Sequence, residues 1–168
     1  MDVRPLPIEP LARVHPVEAF SCGVPALDRF LISHALQAQQ ANASRTYVGV
    51  HESAIVGFYT LVVGEVRHID APDRVVKGMP RHPIPLMVLA RLAVHRDRQG
   101  RGIGASLLRD ALLRTLQAAD IAGIRAVAVH AKDEAAVRFY KHYGFAPSAT
   151  DPCHLFLLVK DIRQALND

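Results

Sequence analysis

The chain has 168 residues, enough for one domain with a real core, and half of them are apolar, which excludes a disordered chain. No apolar run approaches a membrane span, and Met1 to Pro10 holds three prolines and no apolar signal core, so a cytoplasmic protein away from the membrane is expected. The net charge of +4 is unevenly placed: between Arg67 and Arg101 lie eight basic residues (Arg67, Arg74, Lys77, Arg81, Arg91, Arg96, Arg98, Arg101) and three acidic ones (Asp70, Asp73, Asp97). Such a stretch suits a polyanionic partner, although charge alone favours an ordinary solvated basic face.

The first element predicted is a helix over Pro25–Ala41. Pro25 suits a first helical position, and Leu27, Phe30, Leu31, His34, Ala35 and Ala38 recur at helical spacing. Thr46–His51 and Ile55–Val63 are β-rich runs separated by Glu52-Ser53 and predict a hairpin. Arg67–Pro85 contains Pro72, Pro80, Pro83, Pro85 and Gly78, hence a loop with room for a short helix. Leu86–Val94 is a near-continuous apolar run broken by Arg91, the pattern of a strand buried on both faces. Leu107, Leu108, Ala111, Leu112, Thr115 and Leu116 form the stripe of a helix. A strand over Ile124–His130, a helix over Glu134–His142 with Gly144 as its C-cap, and a last strand over His154–Val159 complete one mixed domain over residues 1–168. Cys22 and Cys153 stand in no metal or redox spacing, so reduced thiols are expected, and nine scattered histidines predict no metal.

The most informative segment is Gln99-Gly100-Arg101-Gly102-Ile103-Gly104-Ala105, between a buried strand and a helix. Glycines let the backbone turn sharply and approach a ligand closely, and the free N–H groups opening the helix face outward with the positive end of its dipole. That is a pyrophosphate site, with Arg96, Arg98 and Arg101 adding charge around it. The segment matches neither the dinucleotide fingerprint nor the triphosphate-binding loop, which carries Lys-Ser/Thr after its last glycine. On this segment alone a tight turn without a ligand stays open.

Gln99-x-x-Gly102-x-Gly104 resembles the pyrophosphate loop of the GCN5-related (GNAT) N-acetyltransferases. Ala136-Val137-Arg138-Phe139-Tyr140-Lys141-His142-Tyr143-Gly144-Phe145 resembles that family's closing signature, in the expected order. The resemblance implies an α/β (α+β) GNAT fold, with a mixed, mostly antiparallel central sheet flanked by helices and splayed between two central strands to hold acetyl-CoA. It implies that Leu92, Ala93 and Val94 offer backbone to the pantetheine arm. It also implies that Arg98, Gln99, Gly100, Arg101, Gly102, Ile103, Gly104 and Ala105 surround the pyrophosphate. Asp133 stands where many members have Asn, and both a cofactor contact and a helix N-cap remain open for it.

Phe20-Ser21-Cys22-Gly23 with Leu27-Asp28-Arg29-Phe30-Leu31, Ser44-Arg45-Thr46-Tyr47-Val48, Gly57-Phe58-Tyr59-Thr60-Leu61, Arg91-Leu92-Ala93-Val94, Arg109-Asp110-Ala111-Leu112 and Val129-His130-Ala131 are similar to the GNAT toxins of bacterial toxin–antitoxin modules. That resemblance implies acetylation of the α-amine of aminoacyl-tRNA, arrest of translation, neutralisation by a ribbon-helix-helix antitoxin, and dimers. Within it, Arg74, Lys77, Arg81 and Arg91 are candidates for tRNA contact. Acetylation of a small amine, polyamine or protein amine stays as an alternative, as does a GNAT-like module that only binds nucleic acid or antitoxin.

Direct transfer requires an unprotonated amine, donors for the developing oxyanion and an acid for the departing thiolate. An α-amine near 8 needs far less deprotonation than a lysine amine at about 10.4, so such a substrate can react without a dedicated carboxylate base, and none is obvious on the predicted central strands: Asp97 lies at the loop and Glu134 starts a helix. Tyr140 is the candidate acid, a phenol of about 10 facing a thiolate of about 8.5. The alternative for Tyr140 is a half-buried packing aromatic, and Tyr143 lies one turn away. Arg91, on an otherwise apolar strand, is expected either to pair with an acid or to face the active-site cleft. His130 is expected to be a satisfied core or rim histidine.

Overall fold

The protein, described here by a computed structural model over residues 6–167, is a mixed α/β chain with a seven-stranded sheet. The strands are β1 (Ile8–Pro10), β2 (Arg45–His51), β3 (Ala54–Val66), β4 (Ile84–Val94), β5 (Ala126–His130), β6 (Ala146–Pro147) and β7 (His154–Leu158), in the order β1-β2-β3-β4-β5-β7-β6. The β1/β2, β2/β3, β5/β7 and β6/β7 ladders are antiparallel, whereas β4 and β5 run parallel through Leu86↔Ala126, Met87↔Val127 and Val88↔Ala128. The helices are α1 (Pro25–Arg29), α2 (Ala35–Gln40), α3 (Asp73–Val76), α4 (Ile103–Ala119), α5 (Glu134–His142) and α6 (Val159–Asn167). The described residues gather into two compact units, residues 6–62 with 90–111 and residues 63–89 with 112–167.

In the first unit the hairpin forms as expected, and Glu52 and Ser53 turn at φ 50° and 65°. Two residues in the left-handed region give the turn whose twist matches the strands it joins. Phe20, Phe30, Leu31, Val48, Ile55, Phe58 and Ala93 form the core, with the Phe20 ring edge-on to Phe58 at 5.4 Å. Thr46 and Thr60 are paired across β2 and β3 and fully buried, and their hydroxyls satisfy each other at 2.8 Å. The predicted helix over 25–41 is interrupted: Phe30–His34 is a π-helical turn between α1 and α2.

Gly49 and Gly57 face each other across β2 and β3. A Cβ at Gly57 would stand 2.7 Å from Leu107 Cδ1, 3.0 Å from the Ala93 carbonyl oxygen and 3.4 Å from Ile103 Cγ2. A Cβ at Gly49 would stand 2.8 Å from Leu6 Cδ2 and 3.7 Å from Leu107 Cδ2. The two missing side chains form a seat in which the first turns of α4 rest directly on the strand backbone.

In the second unit Val66, Ala71, Val75, Ile84, Leu86, Ala126, Ala128, Phe156 and Leu158 form the core. Residues 126–129 are all at most 3% exposed, as an unbroken β-branched and small apolar run requires of a strand covered on both faces. The Pro-rich segment holds a 3-10 turn at His68–Asp70 and the short helix α3, and Arg125 caps α3 by donating to the carbonyls of Arg74, Val75 and Lys77 at 2.9–3.1 Å. Strand β4 begins at Ile84, two residues before the predicted start, because Pro85 is tolerated where its missing N–H is not needed. The last strand ends at Leu158 and Val159 opens α6, an amphipathic helix that the strand-like run concealed. The short edge strands β1 and β6, each carrying a proline, were likewise not apparent from periodicity.

Among the described residues no helix is long and apolar enough to cross a membrane, and no cluster of His, Cys, Asp and Glu could hold a metal ion. Cys22 and Cys153 are free thiols.

Candidate active site

The glycine-rich loop lies in the first unit. After Val94 the chain makes a 3-10 turn over Arg96–Arg98, capped by the His95 ring accepting from the Asp97 N–H at 3.1 Å. Gly100 and Gly102 adopt φ +78° and +81°, values that L side chains rarely reach, and no heavy atom lies within 4 Å of where their Cβ atoms would be. The loop is therefore both left-handed and open in front, as a backbone that approaches a ligand must be. The first bond of the α4 ladder is Ser106 N–H to the Gly102 carbonyl at 3.1 Å, so the N–H groups of Ile103, Gly104 and Ala105 precede the helix ladder. With the dipole of a 17-residue helix behind them, they make a ready anion site.

Gln99 acts differently from its neighbours. Its side-chain amide donates to the Cys22 carbonyl and to the Val94 carbonyl, both at 3.0 Å, which uses both N–H bonds of the amide. The Arg96 N–H adds a bond to the Ser21 carbonyl and the His95 N–H one to Val56. The side chain of Gln99 thus staples the loop to the 21–22 turn. What it leaves for a ligand is backbone.

Leu92 and Val94 are half-buried and Ala93 is 6% exposed, its carbonyl lying over Gly57. Arg98 is half-buried and Arg101 exposed. Arg91 pairs with a ring and with no acid among the described residues: its guanidinium carbon stands 3.5 Å from the centroid of the Phe30 ring, a cation–π contact with the residue that opens the π turn. Burial lowers the Arg91 pKa from its usual value. Tyr59, fully buried on β3, donates its hydroxyl to Asp110 on α4, a second tie between strand and helix that spacing gave no reason to expect.

Tyr140 belongs to the second unit. It is 6% exposed on α5, with Phe139 and Phe145 edge-on at 5.1 and 5.3 Å. Burial pushes its phenol well above the ordinary value, so it stays protonated. Among the described residues its hydroxyl has no hydrogen-bond partner. Ser44 Oγ is the one buried side-chain polar atom without a partner among the described residues, so the Tyr140 ring is buried while its hydroxyl oxygen still reaches the surface, where it can donate to a bound group. Tyr143, by contrast, is 40% exposed and stacks edge-on against Phe139 and His142.

The ends of α5 follow from the local sequence. Asp133 Oδ1 accepts from the Ala136 N–H at 2.8 Å, a full N-cap. At the other end Gly144 sits at φ +94°, its N–H bonds to Lys141 and that of Phe145 to Tyr140, the two bonds of a Schellman close. This close turns Phe145 back onto Tyr140. His130 stacks on His154 at 3.9 Å, and burial first, then His130, lowers the His154 pKa.

Of the basic residues considered for nucleic acid, Arg74 is held by Asp161 through two bonds of 2.8 and 3.1 Å and Arg91 by Phe30. Lys77 and Arg81 are exposed and have no ion pair among the described residues.

Comparison with known proteins agrees with this layout. Residues 42–147 match the model of the acetyltransferase (GNAT) domain. The chain is 49% identical over 152 residues to a tRNA-acetylating toxin of Mycobacterium tuberculosis, covering 90% of this chain and 91% of that protein. Among solved structures it is similar to AtaT complexed with acetyl-methionyl-tRNAfMet, at 31% identity and a TM-score of 0.86 over 96% of this chain and 99% of that one. It is also similar to a point mutant of the AtaT toxin bound to the C-terminus of the antitoxin AtaR and acetyl-CoA, at 29% identity and a TM-score of 0.82 over 98% and 100%. With the family's loop, its closing signature and its fold all present, the chain belongs to the GNAT acetyltransferase family.

Proposed function

We propose that this acetyltransferase takes the acetyl group of acetyl-CoA and places it on the α-amine of aminoacyl-tRNA, acting as a translation-blocking toxin. The likeness to the M. tuberculosis toxin over nine-tenths of the chain is the observation that carries the acceptor assignment. Acetyl-CoA is the donor substrate, and one domain over residues 1–168 performs the reaction.

The residues divide the work as follows. The N–H groups of Gly102, Ile103, Gly104 and Ala105 meet the pyrophosphate, Arg98 and Arg101 add charge, and Gly100 lets the chain pass close by. Leu92, Ala93 and Val94 offer strand backbone to the pantetheine arm. Gln99 holds the loop in shape. Asp133 fixes the start of α5, with one carboxylate oxygen committed to the cap.

Tyr140 holds its proton until the thioester breaks. The amine nitrogen attacks the acetyl carbonyl carbon, the C–S bond cleaves, and the sulfur leaves as a thiolate. A phenol raised by burial is a weak acid towards a thiolate in water. The same dry surroundings raise the thiolate too, so a hydrogen bond from Tyr140 stabilises the developing charge and the proton follows as sulfur becomes basic. At a pKa near 8 about a tenth of the amine is unprotonated and reactive at pH 7; after attack its nitrogen releases one proton to water, and the tyrosinate left at Tyr140 takes one back, so the thiol, the amide and the resting phenol all balance.

Lys77 and Arg81, and through their exposed edges Arg74 and Arg91, are proposed contacts for the tRNA. A ribbon-helix-helix antitoxin as neutralising partner, dimers and a cytoplasmic location follow from the same reading. The test is a cell-free translation reaction: the protein should block it only with acetyl-CoA present, and mass spectrometry should find acetyl on the aminoacyl moiety. Normal translation combined with efficient acetylation of polyamines or lysine peptides would replace this acceptor with a small or protein amine.

A further inference from the structure

The second unit contains a cavity of about 350 Å³ lined by Arg67, His68, Arg81, His82 and Pro83, of which only Arg81 has a role above. Its walls come from the two ends of the Pro-rich segment, and they are held in place. The His68 ring, through Nε2, bonds to the His82 carbonyl at 3.0 Å and ties one rim to the other. Arg67 Nε donates to Asp70 at 3.0 Å with its NH2 group at 2.9 Å from the same oxygen. Asp70 is itself fixed by the Thr150 hydroxyl at 3.0 Å, and its carbonyl accepts from Ser148 at 2.6 Å.

Two guanidiniums therefore stand against one carboxylate. The guanidinium of Arg67 keeps further N–H donors after serving Asp70, and Arg81 has no ion pair among the described residues. A fork of planar donors matches phosphate oxygens, and the flat faces of imidazole, guanidinium and proline suit an unstacked ribose or base beside it. The volume is that of a small-ligand site and would accept one nucleotide of a strand.

We infer that this cavity is a phosphate subsite that grips one nucleotide of the acceptor RNA. The inference rests on the tRNA reading above and adds Arg67, His68 and His82 to it. A chain that already presents an anion-ready loop in its other unit then has a second, separate grip that sorts acceptors and leaves the donor alone.

The experiment measures binding of fluorescent, uncharged tRNA to the full-length protein over a salt series, beside calorimetry with acetyl-CoA. Arg81→Gln should weaken tRNA binding and reduce the slope of log K against log salt by about one, as loss of a single phosphate contact does. Arg67→Gln combined with Arg81→Gln should weaken tRNA binding further through loss of the second fork of donors, with the slope still lowered by about one in all, because the subsite holds a single phosphate and Arg67 is already paired with Asp70. Arg163→Gln, which removes an equal charge already paired with Asp120 at 2.9 Å, should leave the slope alone, and acetyl-CoA affinity should hold in every variant. Unchanged slopes in both cavity variants, with wild-type binding intact, would overturn the subsite and spare the tRNA assignment. Wild-type protein with no salt-dependent tRNA affinity would overturn both. Displacement of tRNA from the wild type by an acidic peptide, lost in Arg81→Gln, would overturn the subsite in favour of an acidic protein segment.

Discussion

Gly57→Ala tests whether the glycine seat sets the height of α4. The added Cβ would fall 2.7 Å from Leu107 Cδ1 and 3.0 Å from the Ala93 carbonyl oxygen. The leucine could swing, but it is 0% exposed and close-packed, and the carbonyl belongs to a strand that cannot retreat without breaking its own bonds. Overpacking of this kind costs about 1–3 kcal/mol. For a chain of this length a kilocalorie lowers Tm by about 2–4 °C, so a fall of roughly 2–12 °C is expected in thermal unfolding. Gly49→Ala should be milder, because its closest neighbour is the end of the Leu6 side chain and Leu107 lies at 3.7 Å. Leu107→Ala alone should cost about 2–5 kcal/mol, yet when combined with Gly57→Ala it removes the worst overlap, and the added methyl fills part of the space. The double variant should therefore be more stable than the sum of the singles by about 1 kcal/mol. Acetyl-CoA affinity should fall in Gly57→Ala, since Ile103, in the first turn of α4, touches the same point. A neutral Gly57→Ala, or strictly additive singles, would refute the seat.

The other predictions concern chemistry and charge. Tyr140→Phe should lower kcat by about 10²–10⁴-fold in a thiol-release assay while acetyl-CoA affinity is unchanged, and Tyr143→Phe should stay active because its ring packs and its hydroxyl is not needed. Gly102→Glu should abolish acetyl-CoA binding in calorimetry on a folded protein, since it places an anion at the phosphate position and a side chain at φ +81°. Asp133→Ala should cost about 0.5–2 kcal/mol in denaturant unfolding through loss of the cap, and Asp133→Asn should restore most of it; a KM for acetyl-CoA that moves even in Asp133→Asn would reveal a cofactor contact. The Arg74 guanidinium holds the Asp161 carboxyl below its ordinary range, so the pair contributes above about pH 4 and fades as pH falls through the folded-state value. Arg74→Gln should accordingly be less stable than wild type near pH 7 in urea titrations, with the difference shrinking steadily as the pH is taken below about 4 and limited throughout by the exposure of the pair.

Much of this molecule was legible from residue order because its decisive signals are local. The positive φ of Gly100, Gly102 and Gly144 can be met cheaply only by glycine, so their spacing announced the sharp turn before α4 and the close of α5. Asp133, Glu134 and the apolar face behind them marked a helix start that the structure keeps to the residue. The β-branched run predicted as a strand over Ile124–His130 is one, beginning two residues later at Ala126.

What the sequence could not decide is how distant residues share space. Nothing near Gln99 said that its amide would be used on Cys22, 77 positions earlier, or that the lone arginine of β4 would find a ring instead of a carboxylate. The paired glycines of β2 and β3 read only as weak points of two strands until α4 was set against them. Packing buried the ring of Tyr140 and left that of Tyr143 exposed, where residue order offered only two tyrosines a turn apart. Backbone preference is written residue by residue, whereas partners depend on packing across the whole chain, and there tertiary structure alone chooses.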